Sequence, residues 1–148
     1  MHFLNRNTAA IQALAAIFTV LIALAALVGV KWQIDAADRI QQAQSARDIY
    51  REYLSMAINK PEYAQPDYCK FAAKPQEAGY EHFVEYMLYT AEQTLSVDPG
   101  WKETFTHTFK DHAQYICTVR EADQYSAAVA SLLLEFQSNN CSAVQACP

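Results

Sequence analysis

TAAIQALAAIFTVLIALAALVGV, residues 8–30, decides how this 148-residue chain must be read. Between Arg6 and Lys31 no residue is charged, and Thr8, Gln12 and Thr19 are the polar exceptions in an otherwise apolar run. At about 1.5 Å per residue the run extends about 35 Å as a helix, enough to cross a hydrocarbon core of about 30 Å with some tilt. A cleaved signal peptide is the competing assignment. Its apolar region spans about 7–15 residues, however, and VGVKW lacks a small-x-small cleavage pattern, so an uncleaved span is expected. Residues 1–7 then form a short head, and Trp32 stands where an interfacial aromatic anchor belongs.

The side of the membrane taken by the remaining residues is contested by two rules. Lys31, Arg39 and Arg47 outnumber Arg6 near the ends of the span, which by the positive-inside rule favours a cytoplasmic domain. A short basic head before one long apolar segment has instead the form of a signal anchor, which exports the C-terminal part of the chain. Cysteine use decides for export. There are four, an even count, and three of them (Cys69, Cys141 and Cys147) fall outside helix interiors, which suits a compartment where disulfides persist. The expected pairing is Cys141–Cys147, closing a small terminal loop, with Cys69–Cys117 tying a long loop to the helices. Spacing alone leaves all three connectivities open.

Beyond the span the chain reads as all-α. Glycine is scarce, at three residues, and no alternating Val/Ile/Thr runs occur. No proline or glycine interrupts residues 31–58, so the membrane helix is expected to continue through a juxtamembrane helix whose far end buries a face of Ile49, Tyr50, Tyr53, Leu54, Ala57 and Ile58. Residues 59–79 carry Pro61, Pro66 and Pro75 and read as a long loop, held down by Tyr63, Tyr68 and Phe71. Residues 80–138 hold three amphipathic helices. The first has Tyr80, Phe83, Val84, Met87, Leu88, Ala91 and Leu95 at helical spacing; the second starts at Asp98-Pro99, an N-cap followed by an N1 proline, and runs on to bury Trp101, Phe105, Phe109, His112 and Ile116; the third carries Val129, Leu132, Leu133 and Phe136. A small antiparallel helical bundle, followed by a cysteine-containing tail at 139–148, is the economical architecture.

Chemistry finds little foothold. The net charge of −5 is spread without blocks, which disfavours nucleic acid as a partner. No phosphate-binding glycine loop, Gly-x-Ser-x-Gly elbow, Cys-x-x-Cys or His-Glu-x-x-His motif is present, so no catalytic, cofactor or metal residues are expected and the chain is read as non-enzymatic. His112 lies on an apolar stripe and is expected to be a buried histidine with one hydrogen bond. Nine tyrosines are the unusual feature. Tyrosine suits interfaces, and Glu85, Tyr86 and Tyr89 fall off the buried face of their helix, making them the expected partner-facing patch. Within the span Ala13, Ala16 and Ala23, with Ala9 and Ala26, form a small-residue surface that lets another helix approach closely.

DIYREYLSMAINKPEYAQPD, YEHFVEYMLYTAEQ, Trp101 and DHAQYI together resemble a loosely defined group of uncharacterised bacterial single-pass membrane proteins with a small C-terminal helical domain. The resemblance covers most of the chain after residue 45 and implies a fold and a bacterial inner-membrane setting, with no activity. The expectation is therefore a membrane-anchored accessory subunit in contact with the lipid bilayer, its C-terminal domain periplasmic, that docks on a larger membrane protein complex or on a copy of itself. A ligand-sensing domain that uses the space between the proline loop and the next two helices is the alternative.

Overall fold

A computed structural model describes residues 8–72, 74–120, 122–145 and 147; the expected head at 1–7 lies outside these, as does the side chain of Ala9. Among the described residues the protein is all-helical, with 83% of them in helix and no strand. Helix α1, Thr8–Asn59, is followed by α2 (Pro61–Ala64), α3 (Tyr68–Phe71), α4 (Glu77–Leu95), α5 (Trp101–Asp111), α6 (Ala113–Ile116) and α7 (Ala127–Asn140). Short 3-10 turns occupy Ala122–Gln124 and Cys141–Ala143.

The chain falls into two compact units, one ending at Gln41 and the other beginning at Gln42. The first consists of the N-terminal part of α1. Its apolar window is long enough to cross a membrane, and none of it is buried inside the protein: Phe18, Ile22 and Leu27 are each more than 60% exposed. At its polar end Lys31 and Asp35 form an exposed i,i+4 ion pair.

The second unit folds around one core. Of the face expected to be buried at the end of α1, Tyr53 enters it while Leu54 and Ile58 are exposed, because only one side of the helix meets the other elements. Tyr53 from the end of α1, Tyr80, Val84, Met87 and Leu88 from α4, Phe105 and Phe109 from α5, Ile116 from α6, and Val129, Leu133 and Phe136 from α7 are all buried. Burial of each large side chain contributes about 1.5–3 kcal/mol, so this shared face rather than helix propensity holds the elements together. Thr90 and Thr94 share the buried face of α4, made tolerable by hydroxyls that donate to the carbonyls of Tyr86 and Thr90 four residues back, at 2.8 Å in both cases.

Local signals set the helix ends. The Asp98 carboxylate accepts the Gly100 N–H at 2.8 Å and closes a tight turn around Pro99, but the N-cap of the next helix is Gly100, with no side-chain cap, so the expected Asp98 cap and Pro99 N1 positions fall just before the helix. Regular α5 starts at Trp101 after this tight turn. The expected single helix through Ile116 is broken at His112, whose backbone (φ −109°, ψ 17°) leaves the helical region as its ring meets Tyr80. The proline segment is not structureless: Pro61 opens α2, and α3 places Tyr68 and Phe71 on the core.

Long-range polar ties close the unit. Glu92 of α4 accepts the backbone N–H of Ser126 at the start of α7 at 2.6 Å. Gln137 of α7 donates to the carbonyls of Ile116 and Val119, both at 2.8 Å. Lys102 and Glu135 join α5 to α7 across an exposed 2.6 Å contact that contributes at most about 1 kcal/mol.

The expected cysteine pairing is overturned. Cys69 stands opposite Cys147 and Cys117 opposite Cys141, with Cα separations of 5.2 and 5.5 Å, both at disulfide geometry. The reason is helix length. The 14 residues of α7, about 21 Å long, carry the chain back from the turn that follows α6, so Cys141 arrives beside Cys117 at the end of that helix, while the tail continues to α3. Sequence proximity between Cys141 and Cys147 measures chain reach and ignores where α7 ends.

Candidate functional site

Helix α4 divides its outward surface between two concavities. Glu81 and Glu85, one turn apart, lie on one side; His82 and Tyr86 lie on the other; Tyr89, 48% exposed, stands on the ridge between them. The expected patch of Glu85, Tyr86 and Tyr89 is therefore spread over two surfaces. The rings of Tyr86 and Tyr89 are 6.2 Å apart, and the Tyr86 hydroxyl meets the Glu52 carboxylate of α1. Glu85 faces the opposite side, although it also contacts His82 at 3.0 Å.

On the Tyr86 side lies a groove of about 500 Å³ whose surface is mostly apolar, formed by Met56, Tyr63, Phe83 and Tyr86 with His82 at its edge. Gly79 is part of its wall, and the Tyr63 hydroxyl would come within 2.8 Å of a Cβ there, so the ring occupies space that a side chain would claim. On the Glu85 side lies a polar cleft of about 360 Å³. Tyr68 reaches it from α3, Tyr115 from α6 and Tyr125 from the turn before α7, while Glu81 and Glu85 supply carboxylates and Arg120 a guanidinium. The rings of Tyr68 and Tyr115 are 5.6 Å apart and meet edge to face. Burial, then the nearby Glu81 carboxylate among other charges, pushes the Tyr115 phenol up to about 12. Tyr68 is raised by burial and by its 3.1 Å hydrogen bond to Glu77.

Beneath both surfaces Tyr80 is fully buried, with the rings of Tyr63, Tyr68, Phe71, Tyr115 and His112 around it at 5.6–6.2 Å. Its hydroxyl lies 2.9 Å from His112 Nδ1. His112 is 1% exposed and its Nε2 has no partner among the described residues. Desolvation therefore drives its pKa from 6.5 down to about 4 and keeps it neutral. The unfolded chain binds this proton at higher pH than the folded one. Stability is thus complete above about pH 6.5 and is lost as pH falls towards 4, by up to about 3 kcal/mol. Denaturant midpoints measured between pH 7 and 4 should fall more steeply for the native chain than for His112→Gln.

The remaining expected residues lie apart from these surfaces. Ala13, Ala16 and Ala23 are exposed on α1 within the first unit. The four cysteines flank the polar cleft, Cys69 directly after Tyr68 and Cys117 two residues after Tyr115. Among the described residues no three histidine, cysteine or carboxylate side chains gather as a metal site. Tyr68, Tyr115, Tyr125 and Arg120 converge from separate elements, and no local spacing announces that convergence. The chain matches no protein-family model, no curated protein and no solved structure.

Proposed function

We propose that this protein is a non-catalytic accessory subunit, held in a membrane by the N-terminal part of α1. Its disulfide-tied domain, read as a small antiparallel bundle, lies on the oxidising side and docks on a membrane protein partner. The observation that carries the reading is the pairing of all four cysteines in a domain that comes after an unburied apolar helix. Thiols retained in a reducing cytosol have no use for such pairing, and an apolar helix with no protein cover takes lipid as its solvent. The resemblance to bacterial single-pass proteins accords with a periplasmic placement.

The docking face is the Tyr86–Tyr89 ridge with its neighbouring apolar groove. Tyr89 is a large, half-exposed aromatic with a polar tip, and the groove offers a recess for a partner's apolar side chain beside it. Purification of the full chain in mild detergent is expected to recover a stoichiometric membrane protein. Tyr89→Ala together with Tyr86→Ala should weaken that association by about 30-fold or more, the effect of losing an interface hot spot. Recovery of the chain alone at every detergent concentration contradicts the docking role, and recovery of a homo-oligomer replaces the partner with a second copy.

A further inference from the structure

The polar cleft holds opposite charges that do not neutralise each other. Glu81, half-buried, and Arg120, exposed at its rim, both line it, and neither forms an ion pair or side-chain hydrogen bond with any described residue. The exposed guanidinium is solvated by water at little cost, whereas the half-buried Glu81 carboxylate has given up part of its hydration without gaining a cation. Here the carboxylate side is also aromatic, because Tyr68, Tyr115 and Tyr125 share the wall with Glu81 and Glu85. Negative ring faces beside carboxylates are the environment in which an ammonium is held, by charge and by cation–π attraction together. The guanidinium supplies a fork for a carboxylate.

We infer that the cleft between α3, α4 and the α6–α7 connection binds a small zwitterion, its ammonium against Glu81 and the tyrosines and its carboxylate on Arg120. The volume of about 360 Å³ is at the lower end of the range for ligand pockets and suits a molecule of amino-acid size. Both disulfides brace the walls. Cys69 anchors the residue after Tyr68 to the tail, and Cys117 fixes the segment between Tyr115 and Arg120 to the end of α7. The backbone that carries Tyr68 and the segment leading to Arg120 is thereby held in place before any ligand arrives, which lowers the cost of ordering on binding. This site is separate from the Tyr86–Tyr89 face and stands or falls independently of it.

The test is calorimetric titration of the oxidised full-length protein in detergent with ω-amino acids from glycine to 6-aminohexanoate, and with hexylammonium and hexanoate as single-charge probes. Fixed walls predict an affinity maximum at one chain length, with the best zwitterion binding at least about ten-fold tighter than either single-charge probe. Glu81→Gln and Arg120→Gln should each weaken that zwitterion about ten- to hundred-fold while leaving the thermal midpoint unchanged. A flat series, a single-charge probe that binds as tightly as the best zwitterion, insensitivity to both substitutions, or no binding by any probe at about 10 mM overturns the inference.

Discussion

Reduction of both cysteine pairs is expected to unfold the second unit at physiological temperature. In the chain-entropy treatment the Cys69–Cys147 link, which spans 78 positions, contributes about 4.5 kcal/mol, and Cys117–Cys141, which spans 24, contributes about 3.4 kcal/mol. Because the second link lies inside the first, the two contributions together fall somewhat short of their sum. The total is nevertheless comparable to the whole stability of an ordinary domain, about 5–15 kcal/mol. Each pair should also act locally. Replacing Cys69 and Cys147 by serine frees α3 and with it Tyr68 and Phe71, which cover Tyr80. Replacing Cys117 and Cys141 frees the end of α6, which is then tied to α7 by the Gln137 hydrogen bonds and by the packing of Ile116 in the shared core. Circular-dichroism melts with and without reductant should differ by more than about 15 °C for a unit of this size. Coincident melts would show that the pairs contribute nothing to folding.

The second large effect is expected at Tyr80. Its ring is in contact with five others and completely removed from solvent, so Tyr80→Ala should cost about 3–5 kcal/mol by the lost transfer energy and the cavity left behind. Tyr80→Phe keeps the packing and removes only the hydroxyl. It leaves both ring nitrogens of the buried His112 without a partner and should cost about 1–3 kcal/mol. Denaturant midpoints at pH 7 decide the matter. If the two substitutions cost the same, the hydrogen bond and not the aromatic cluster dominates; if neither costs more than about 1 kcal/mol, the residue does not organise this core.

How much of the fold is legible in the sequence depends on the range of the forces involved. The apolar run before Val30 and the stripe from Tyr80 to Leu95 can be read because helical periodicity is a local property, and Asp98-Pro99 announces the start of the next helix because a tight turn acts within a few residues. The kink at His112 is not legible: periodicity continues through Ile116, and the break serves a contact with Tyr80, 32 positions away. The same holds for Glu92 reaching Ser126 and for Gln137 reaching Ile116. Cysteine count points to paired thiols, yet the partners depend on where α7 terminates relative to α6 and α3. Among the candidate surface residues, Glu85 is recognisable as lying off the buried face of α4, but which of two concavities it lines is fixed by elements that approach from elsewhere in the chain. Tyr68, Tyr115 and Tyr125 read individually as rim aromatics, and only the tertiary fold assembles them.

The placement of the second unit on the oxidising side of a membrane is tested most directly by the thiol state of the protein taken from native membranes. Alkylation of free thiols before lysis, then peptide mapping without reductant, should find no modified cysteine and two cross-linked peptide pairs, Cys69 with Cys147 and Cys117 with Cys141. Four alkylated cysteines would return the domain to the cytoplasm and remove the basis for its exported placement.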